Sequence, residues 1–263
     1  MQLDLSGRHA LVCGASKGIG RATAIELAQL GASVTLLARS AEALETLAQQ
    51  LPRLHDGQSH QARAVDMLDT GALQAAATDI AAQARVHILI NNSGGPPAGP
   101  AHTADPAAFE AAFRQHLIAG QALVQALLPG MRESAYGRIV NIISTSVKEP
   151  ILGLGVSNTV RAAVAAWAKT LSAELAADGI TVNNVLPGYT RTGRLDSLLA
   201  TKAATSQRSE ADIAGELIET IPARRFGEPE EVAAVIAFLC TPAAAYVNGV
   251  SIAVDGGRTR ALS

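Results

Sequence analysis

Short β-rich runs alternate along this chain with longer Ala/Leu-rich segments of helical period, and no other feature narrows the possible fold so far. The runs at 9–13, 33–38, 61–65, 87–90, 138–143, 181–186 and 251–254 read as strands, and helices fill most of the intervals. The two longest helical patterns, 106–131 and 156–177, follow the fourth and fifth runs. Such alternation is the mark of repeated βαβ units, whose long crossovers return the chain to the same end of a parallel sheet. The expectation is one doubly wound α/β domain over 1–263. Its composition agrees, 48% hydrophobic yet only 3% aromatic, because Ala, Leu, Val and Ile pack closely on both faces of a buried sheet. Right-handed crossovers place the C-terminal ends of the strands along one edge, so function is sought there. Two segments break the alternation. One, 93–100, is rich in turn formers, and the other, 188–221, carries several charges and precedes Pro222. Both follow strands and are expected to border the site, the second as a lid-like insertion with helical pieces.

The same numbers exclude several function classes. A formal net charge of -2 offers no basic stripe to a polyanion, so nucleic acid is not expected as a partner. Cys13 and Cys240 lie far apart in apolar runs, which suits core thiols in a reducing compartment and neither a disulfide framework nor a metal site. No stretch reaches the roughly 18 apolar residues that would span a bilayer. The segment Met1-Gln2-Leu3-Asp4-Leu5-Ser6-Gly7 lacks a basic region followed by a hydrophobic one. These features together predict a soluble, unprocessed cytoplasmic protein with a small-molecule substrate.

The chemistry begins at Gly14-Ala15-Ser16-Lys17-Gly18-Ile19-Gly20, which leaves the first strand and opens a helix. Gly14, Ser16, Gly18, Ile19 and Gly20 allow a tight turn and close backbone approach to a pyrophosphate, while the helix N-terminus offers unpaired N–H groups and partial positive charge. About 20 residues further on, an acidic residue would bond the ribose 2′-hydroxyl of NAD, and a basic one would accept the 2′-phosphate of NADP. The second strand ends in Ala38-Arg39-Ser40, without a carboxylate. With Lys17 supplying a second cation nearby, NADP(H) is favoured over NAD(H).

These residues resemble the short-chain dehydrogenase/reductase family over essentially the whole chain. The matching landmarks are the glycine loop, Asn91-Asn92-Ser93-Gly94, Gly137-Arg138-Ile139-Val140-Asn141-Ile142-Ile143-Ser144, Asp178-Gly179-Ile180-Thr181-Val182-Asn183, Pro187-Gly188, Arg225-Phe226-Gly227-Glu228-Pro229-Glu230-Glu231-Val232 and Val254-Asp255-Gly256-Gly257. The likeness is strongest to 3-oxoacyl-carrier-protein reductase-like members. It implies a Rossmann fold assembled as a homotetramer or homodimer. It also implies that Asp66 and Met67 face the adenine, that Asn92 lies along the cofactor, and that Pro187, Gly188 and Thr190 border the nicotinamide. From the residues alone, Asp66 could equally cap the following helix, and Pro187-Gly188 could be a plain turn.

The catalytic positions depart from the family. Its serine is present as Ser144, but the tyrosine expected 13 residues later is Ser157, and the lysine four beyond that is Arg161. No tyrosine lies between Tyr136 and Tyr189, so no shift of alignment restores the phenol. The family's helix asparagine falls on His116. In carbonyl reduction a hydride goes to carbon and a proton to oxygen. The phenol is the usual donor, and serine is a far weaker acid. Arg161 keeps a cation on the face of Ser157 one helical turn away, yet it stays protonated and shuttles nothing.

Three readings follow. In the first, the chain is an NADP(H)-dependent oxidoreductase of a carbonyl or alcohol substrate, with Ser144, Ser157, Arg161 and His116 in an atypical active site. Lys148 and Tyr189 are further candidate proton donors, and Arg191, Arg194, Lys202 and Arg208 are either contacts for an anionic substrate or carrier or the ordinary solvated charges of a lid. In the second, it binds NADP(H) with little or no dehydrogenase activity and serves in regulation or assembly. The third is non-redox chemistry on the same scaffold, as in halohydrin dehalogenase-like relatives.

Overall fold

The structure, a computed structural model, describes residues 1–262. Its seven strands are β1 (His9–Cys13), β2 (Ser33–Ala38), β3 (His60–Ala64), β4 (Ile88–Asn91), β5 (Gly137–Ile142), β6 (Ile180–Pro187) and β7 (Ser251–Val254). They form one sheet in the order β3-β2-β1-β4-β5-β6-β7, with every pairing parallel. The order reverses between β1 and β4, which opens a crevice at their C-terminal ends.

The main helices are α1 (Gly18–Gln29), α2 (Ala41–Gln50), α3 (Thr70–Gln83), α4 (Pro106–Phe113), α5 (Ala119–Glu133), α6 (Gly155–Leu175), α7 (Gly193–Ser206), α8 (Glu210–Glu219) and α9 (Pro229–Cys240). Alternation along the strands decides which face each helix covers. Ala10 and Val12 of β1 pack with α1, α2 and α9. Leu11 and Cys13 point the other way, into α3, α5 and α6. Both layers are therefore apolar, and polar chemistry is left to the sheet's C-terminal edge.

One polar feature does cross the sheet. Asn91, Asn141, Asn184 and Ser251 stand in register on four neighbouring strands. Asn91 Nδ2 donates to Asn141 Oδ1 (2.9 Å), Asn141 Nδ2 to Asn184 Oδ1 (3.0 Å), and Asn184 Nδ2 to Ser251 Oγ (3.1 Å). Each amide donates to the next side chain, with Asn91 Oδ1 alone left without a partner, so β4 to β7 are pinned against slippage close to the crevice.

The long helix expected over 106–131 is interrupted. Asp105 caps its start by accepting from Ala107 N (2.9 Å), but Arg114–Ile118 forms a π-helical turn between α4 and α5. Such a turn inserts one extra residue and swings the side chains around it, a common device beside functional sites. The segment expected as a lid folds as α7 and α8 joined by Gln207, whose φ of 55° is left-handed.

Candidate active site

At the end of β1 the chain turns through Gly14, with φ of 59°, and Gly18, with φ of 57°. A Cβ on Gly14 would stand 2.6 Å from Asn92 Nδ2, and one on Gly20 would run into the Gly14 carbonyl. Only glycine suits these two places, because the loop is folded hard against β4. Asn92 locks it there by donating from Nδ2 to the carbonyls of Cys13 and Gly14, at 3.3 Å each. Lys17, the residue before α1, makes no side-chain cap bond, so the first N–H groups of α1 are left for a ligand.

A cavity of about 700 Å³ runs from this loop in both directions. At one end lie Arg39 and Ser40, both exposed, with Asp66 and buried Met67. Asp66 is not the cap of the following helix. That role belongs to Asp69, which accepts from Ala72 N (3.0 Å), while Asp66 Oδ1 accepts from Leu68 N (3.0 Å) and closes a local turn. Pro187, Gly188 and Thr190, at and beyond the end of β6, also line the cavity. Gly188 is more than a turn residue, since a Cβ there would meet Asp255 Cβ at 2.6 Å.

The other end holds Ser144, Ser157 and Arg161. Ser144 lies two residues beyond β5 and accepts from Ser146 N (3.1 Å), and buried Ser157 accepts from Arg161 Nε (3.1 Å). Each hydroxyl thus has an acceptor site occupied and its own O–H left to donate into the cavity. Arg161 is itself buried, and its Nη1 donates to the carbonyls of Ile142 (3.2 Å) and Ile143 (2.8 Å). No carboxylate pairs with it among the described residues. Burial, with the nearby Arg194 charge adding to it, pushes its pKa down to about 10, so it remains a cation at neutral pH.

His116 lies behind these groups, bonded to Ser93 of the cavity wall. It sits on the π-helical turn outside the cavity lining, with Nδ1 paired to Ser93 Oγ (2.8 Å) and Nε2 buried without a partner. Burial first, and the Arg161 charge second, push its pKa down to about 3. A ring so strongly held neutral does not carry a proton to substrate near pH 7, which counts against its expected role. Lys148 also lies outside the lining. Tyr189 is the one tyrosine that lines it, its ring edge-on to Phe226 and beneath the guanidinium of Arg258 at 4.9 Å.

Among the four basic residues of 188–221 expected to meet an anion, only Arg194 reaches the main cavity. Arg191 pairs with Glu228 (3.0 Å), Arg208 with Glu216 (2.6 Å), and Lys202 lines a smaller side pocket. Arg258 was not foreseen. It follows Asp255-Gly256-Gly257, and the loop's hydrogen bonds to the Asp255 carboxylate bring it round to Tyr189. The pattern of residues carries no signal for that approach. Among the described residues no group of three or more His, Cys, Asp or Glu is assembled for a metal, and no helix is long and apolar enough to cross a membrane.

With this geometry in hand, known proteins supply a context. The family model described as Enoyl-(Acyl carrier protein) reductase matches residues 14–259. The NADPH-dependent reductase BacG of Bacillus subtilis is 32% identical, over 98% of this chain and all of the relative. The 3-oxoacyl-[acyl-carrier-protein] reductase FabG of Vibrio cholerae is 31% identical over 97% of this chain and 98% of that protein. Among solved structures, L-sorbose reductase from Gluconobacter frateurii, complexed with NADPH and L-sorbose, superposes with a TM-score of 0.92 at 28% identity, each chain covered in full.

Proposed function

The chain belongs to the short-chain dehydrogenase/reductase family, and from that premise we propose that it is an NADP(H)-dependent oxidoreductase whose active site works without the family's tyrosine. The observation that carries the reading is the continuity of one cavity, which joins the glycine loop and Arg39 to Ser144, Ser157 and Arg161. Gly14, Ser16, Gly18, Ile19 and Gly20 with the α1 N-terminus would cradle the pyrophosphate. Lys17, Arg39 and Ser40 would meet the 2′-phosphate, Asp66 and Met67 the adenine, and Asn92, Pro187, Gly188, Thr190 and Arg161 the nicotinamide half. The residues fit that group. The left-handed glycines leave room for it, and a Cβ on Gly94 would meet nothing within 4 Å, so the backbone there faces open space.

When bound, the nicotinamide supplies or accepts a hydride. The chain's own part is to hold the substrate oxygen as negative charge grows on it. The Ser144 and Ser157 hydroxyls, with acceptor sites already filled, donate to that oxygen, and Arg161 backs them with a buried positive charge. Tyr189 is the phenol positioned to deliver the proton, since it lines the cavity and makes no side-chain hydrogen bond to another described residue. The segment 188–221 acts as a lid, with Tyr189, Arg194, Leu195 and Leu198 as its inner surface. A cytoplasmic homotetramer belongs to the same reading, resting on the family likeness.

The test is direct. Purified protein should bind NADPH more tightly than NADH and oxidise NADPH with at least one member of a broad panel of ketones, aldehydes and enones. Tighter NADH binding would overturn the cofactor assignment. Tight NADPH binding without turnover across the panel would favour the second reading, a cofactor-binding protein with little or no dehydrogenase activity, which the serine at position 157 and the neutral His116 support.

A further inference from the structure

The charge of the cavity is more lopsided than the cofactor's phosphates require. Among its lining residues are Lys17, Arg39, Arg161, Arg194 and Arg258, against a single carboxylate, Asp66. Lys17 and Arg39 stand where the phosphates of NADP(H) would lie. Arg161, Arg194 and Arg258 stand at the opposite end, beside the two serines and Tyr189. Both Arg161 Nη2 and Arg194 Nη2 lie 3.4 Å from the point where a Cβ on Gly95 would be, so the two guanidinium groups converge on one spot made accessible by that glycine. Neither has an ion-pair partner among the described residues. The Nε and Nη1 of Arg161 are taken by Ser157 and two backbone carbonyls, while its Nη2 makes no hydrogen bond to another described residue. Arg194 Nη2 donates to the Pro96 carbonyl (2.8 Å), which fixes the direction of the side chain and leaves the rest of its fork open.

Arg161 is buried while Arg194 beside it is exposed, and a buried cation with a like charge at its side is costly unless something negative joins it. The repulsion is expressed in the lowered pKa of Arg161, to which Arg194 contributes after burial itself. The surrounding wall is apolar, formed by Ile143, Ile151, Leu154, Leu195 and Leu198. An inorganic ion would leave this wall unused, whereas an organic acid would use both.

We propose that Arg161 and Arg194 form a carboxylate-binding site next to Ser144 and Ser157, and that the substrate is a small organic acid carrying its reducible group beside that carboxylate. The role as a substrate site rests on the oxidoreductase reading above, but the anion binding does not. Arg161 anchors from the rigid helix α6, and Arg194 closes from α7 on the lid, so the substrate's own charge would draw the lid shut.

Titration calorimetry on the protein saturated with NADP⁺ tests the site, with benzoate as the probe and benzamide as its neutral isostere. Benzoate should bind the more tightly. Arg194→Gln should erase that preference, a loss of about tenfold or more for a charge-assisted hydrogen bond, while the NADPH dissociation constant stays within about twofold. Arg194→Lys, which keeps the charge, should retain part of the preference, which separates lost charge from a misfolded 93–100 loop. Equal binding of benzoate and benzamide by the wild type would overturn the proposal. So would a parallel loss of NADPH affinity in Arg194→Gln, which would assign the arginine to the cofactor's phosphates, or inorganic phosphate binding as tightly as benzoate. A carboxylate preference without turnover of any keto or enone acid would keep the site and remove the oxidoreductase reading. Turnover of neutral carbonyls with no carboxylate preference would do the reverse.

Discussion

Arg161 Nε donates to Ser157 Oγ at 3.1 Å across one turn of α6, and both residues are buried. The bond fixes the serine's lone pair and so frees its O–H to point at substrate. Ser157→Ala should therefore remove one donor from the growing oxyanion and leave the arginine's other bonds to Ile142 and Ile143 in place. The expected loss in kcat is on the order of 10²–10³, with KM little changed, as for deletion of one oxyanion donor. Steady-state kinetics with any accepted substrate would measure it. Equal losses of binding and turnover would mean that Ser157 only shapes the pocket.

Arg39 reaches the cavity from the end of β2 without an acidic partner, since no ion pair involves it among the described residues. Arg39→Asp replaces a 2′-phosphate acceptor by a carboxylate suited to a free 2′-hydroxyl. NADPH affinity should fall roughly 10–100-fold, the worth of a charge-assisted hydrogen bond, and NADH affinity should rise. Fluorescence titration of both nucleotides with wild type and variant decides it, and an unchanged ratio would remove Arg39 from the site.

The sheet was legible because every strand but the polar edge strand β3 announces itself by β-branched and apolar residues between turn signals, and expectation and structure differ by no more than a residue at the strand ends. The glycine loop was legible for a similar local reason. What escaped depends on contacts distant in sequence. The π-helical turn at Arg114–Ile118 leaves the apolar period of 106–131 almost unaltered, so composition could not reveal it. Which of Asp66 and Asp69 caps α3 is a choice of backbone angle that residue type does not decide. The convergence of Arg161 with Arg194 and the approach of Arg258 to Tyr189 join segments separated by a whole crossover, and charge counting treats such residues as solvated.

Gly14→Ala tests the loop itself. The added Cβ would stand 2.6 Å from Asn92 Nδ2 at a φ of 59°, and the side chain it meets is holding the loop to β4. Strain of about 1–3 kcal/mol is expected from the backbone position. The melting temperature should drop, NADPH binding should weaken by more than tenfold, roughly 1.4 kcal/mol, and thermal protection by NADPH should shrink accordingly. A variant that melts and binds like the wild type would show that the loop adapts freely.

The proton route separates Tyr189 from His116. Tyr189→Phe keeps the ring against Phe226 and removes only the hydroxyl, so kcat should fall by about 10²–10⁴, the usual worth of a general acid. His116→Asn should leave the shape of the pH–rate profile unaltered, because the imidazole is already neutral across the working range. If the histidine variant instead loses an ionisation from the profile while Tyr189→Phe turns over normally, the two roles must be exchanged.

Acid stability follows from three histidines that the fold keeps neutral. His87 Nδ1 accepts a 3.1 Å bond from the backbone N–H of His9, which a protonated ring cannot do, and His9 Nε2 pairs with the Thr35 hydroxyl at 2.8 Å. Burial, above all other causes, pushes His9 and His87 to about 4 and His116 to about 3, each below the ordinary 6.5. Between those values and 6.5 the unfolded chain binds protons that the folded chain refuses, so stability rises with pH in that window. The contribution is fully present above 6.5 and is lost progressively as the pH falls towards 4. Melting temperatures should hold steady from about pH 8 to 7 and decline steeply from about pH 6 to 4.5, above the range in which free carboxylates take up protons. His9→Val suits the strand but strands the Thr35 hydroxyl, so it should lower stability at every pH while making the acid slope shallower. An acid slope identical to that of the wild type would assign the loss to carboxylates instead of to the imidazoles.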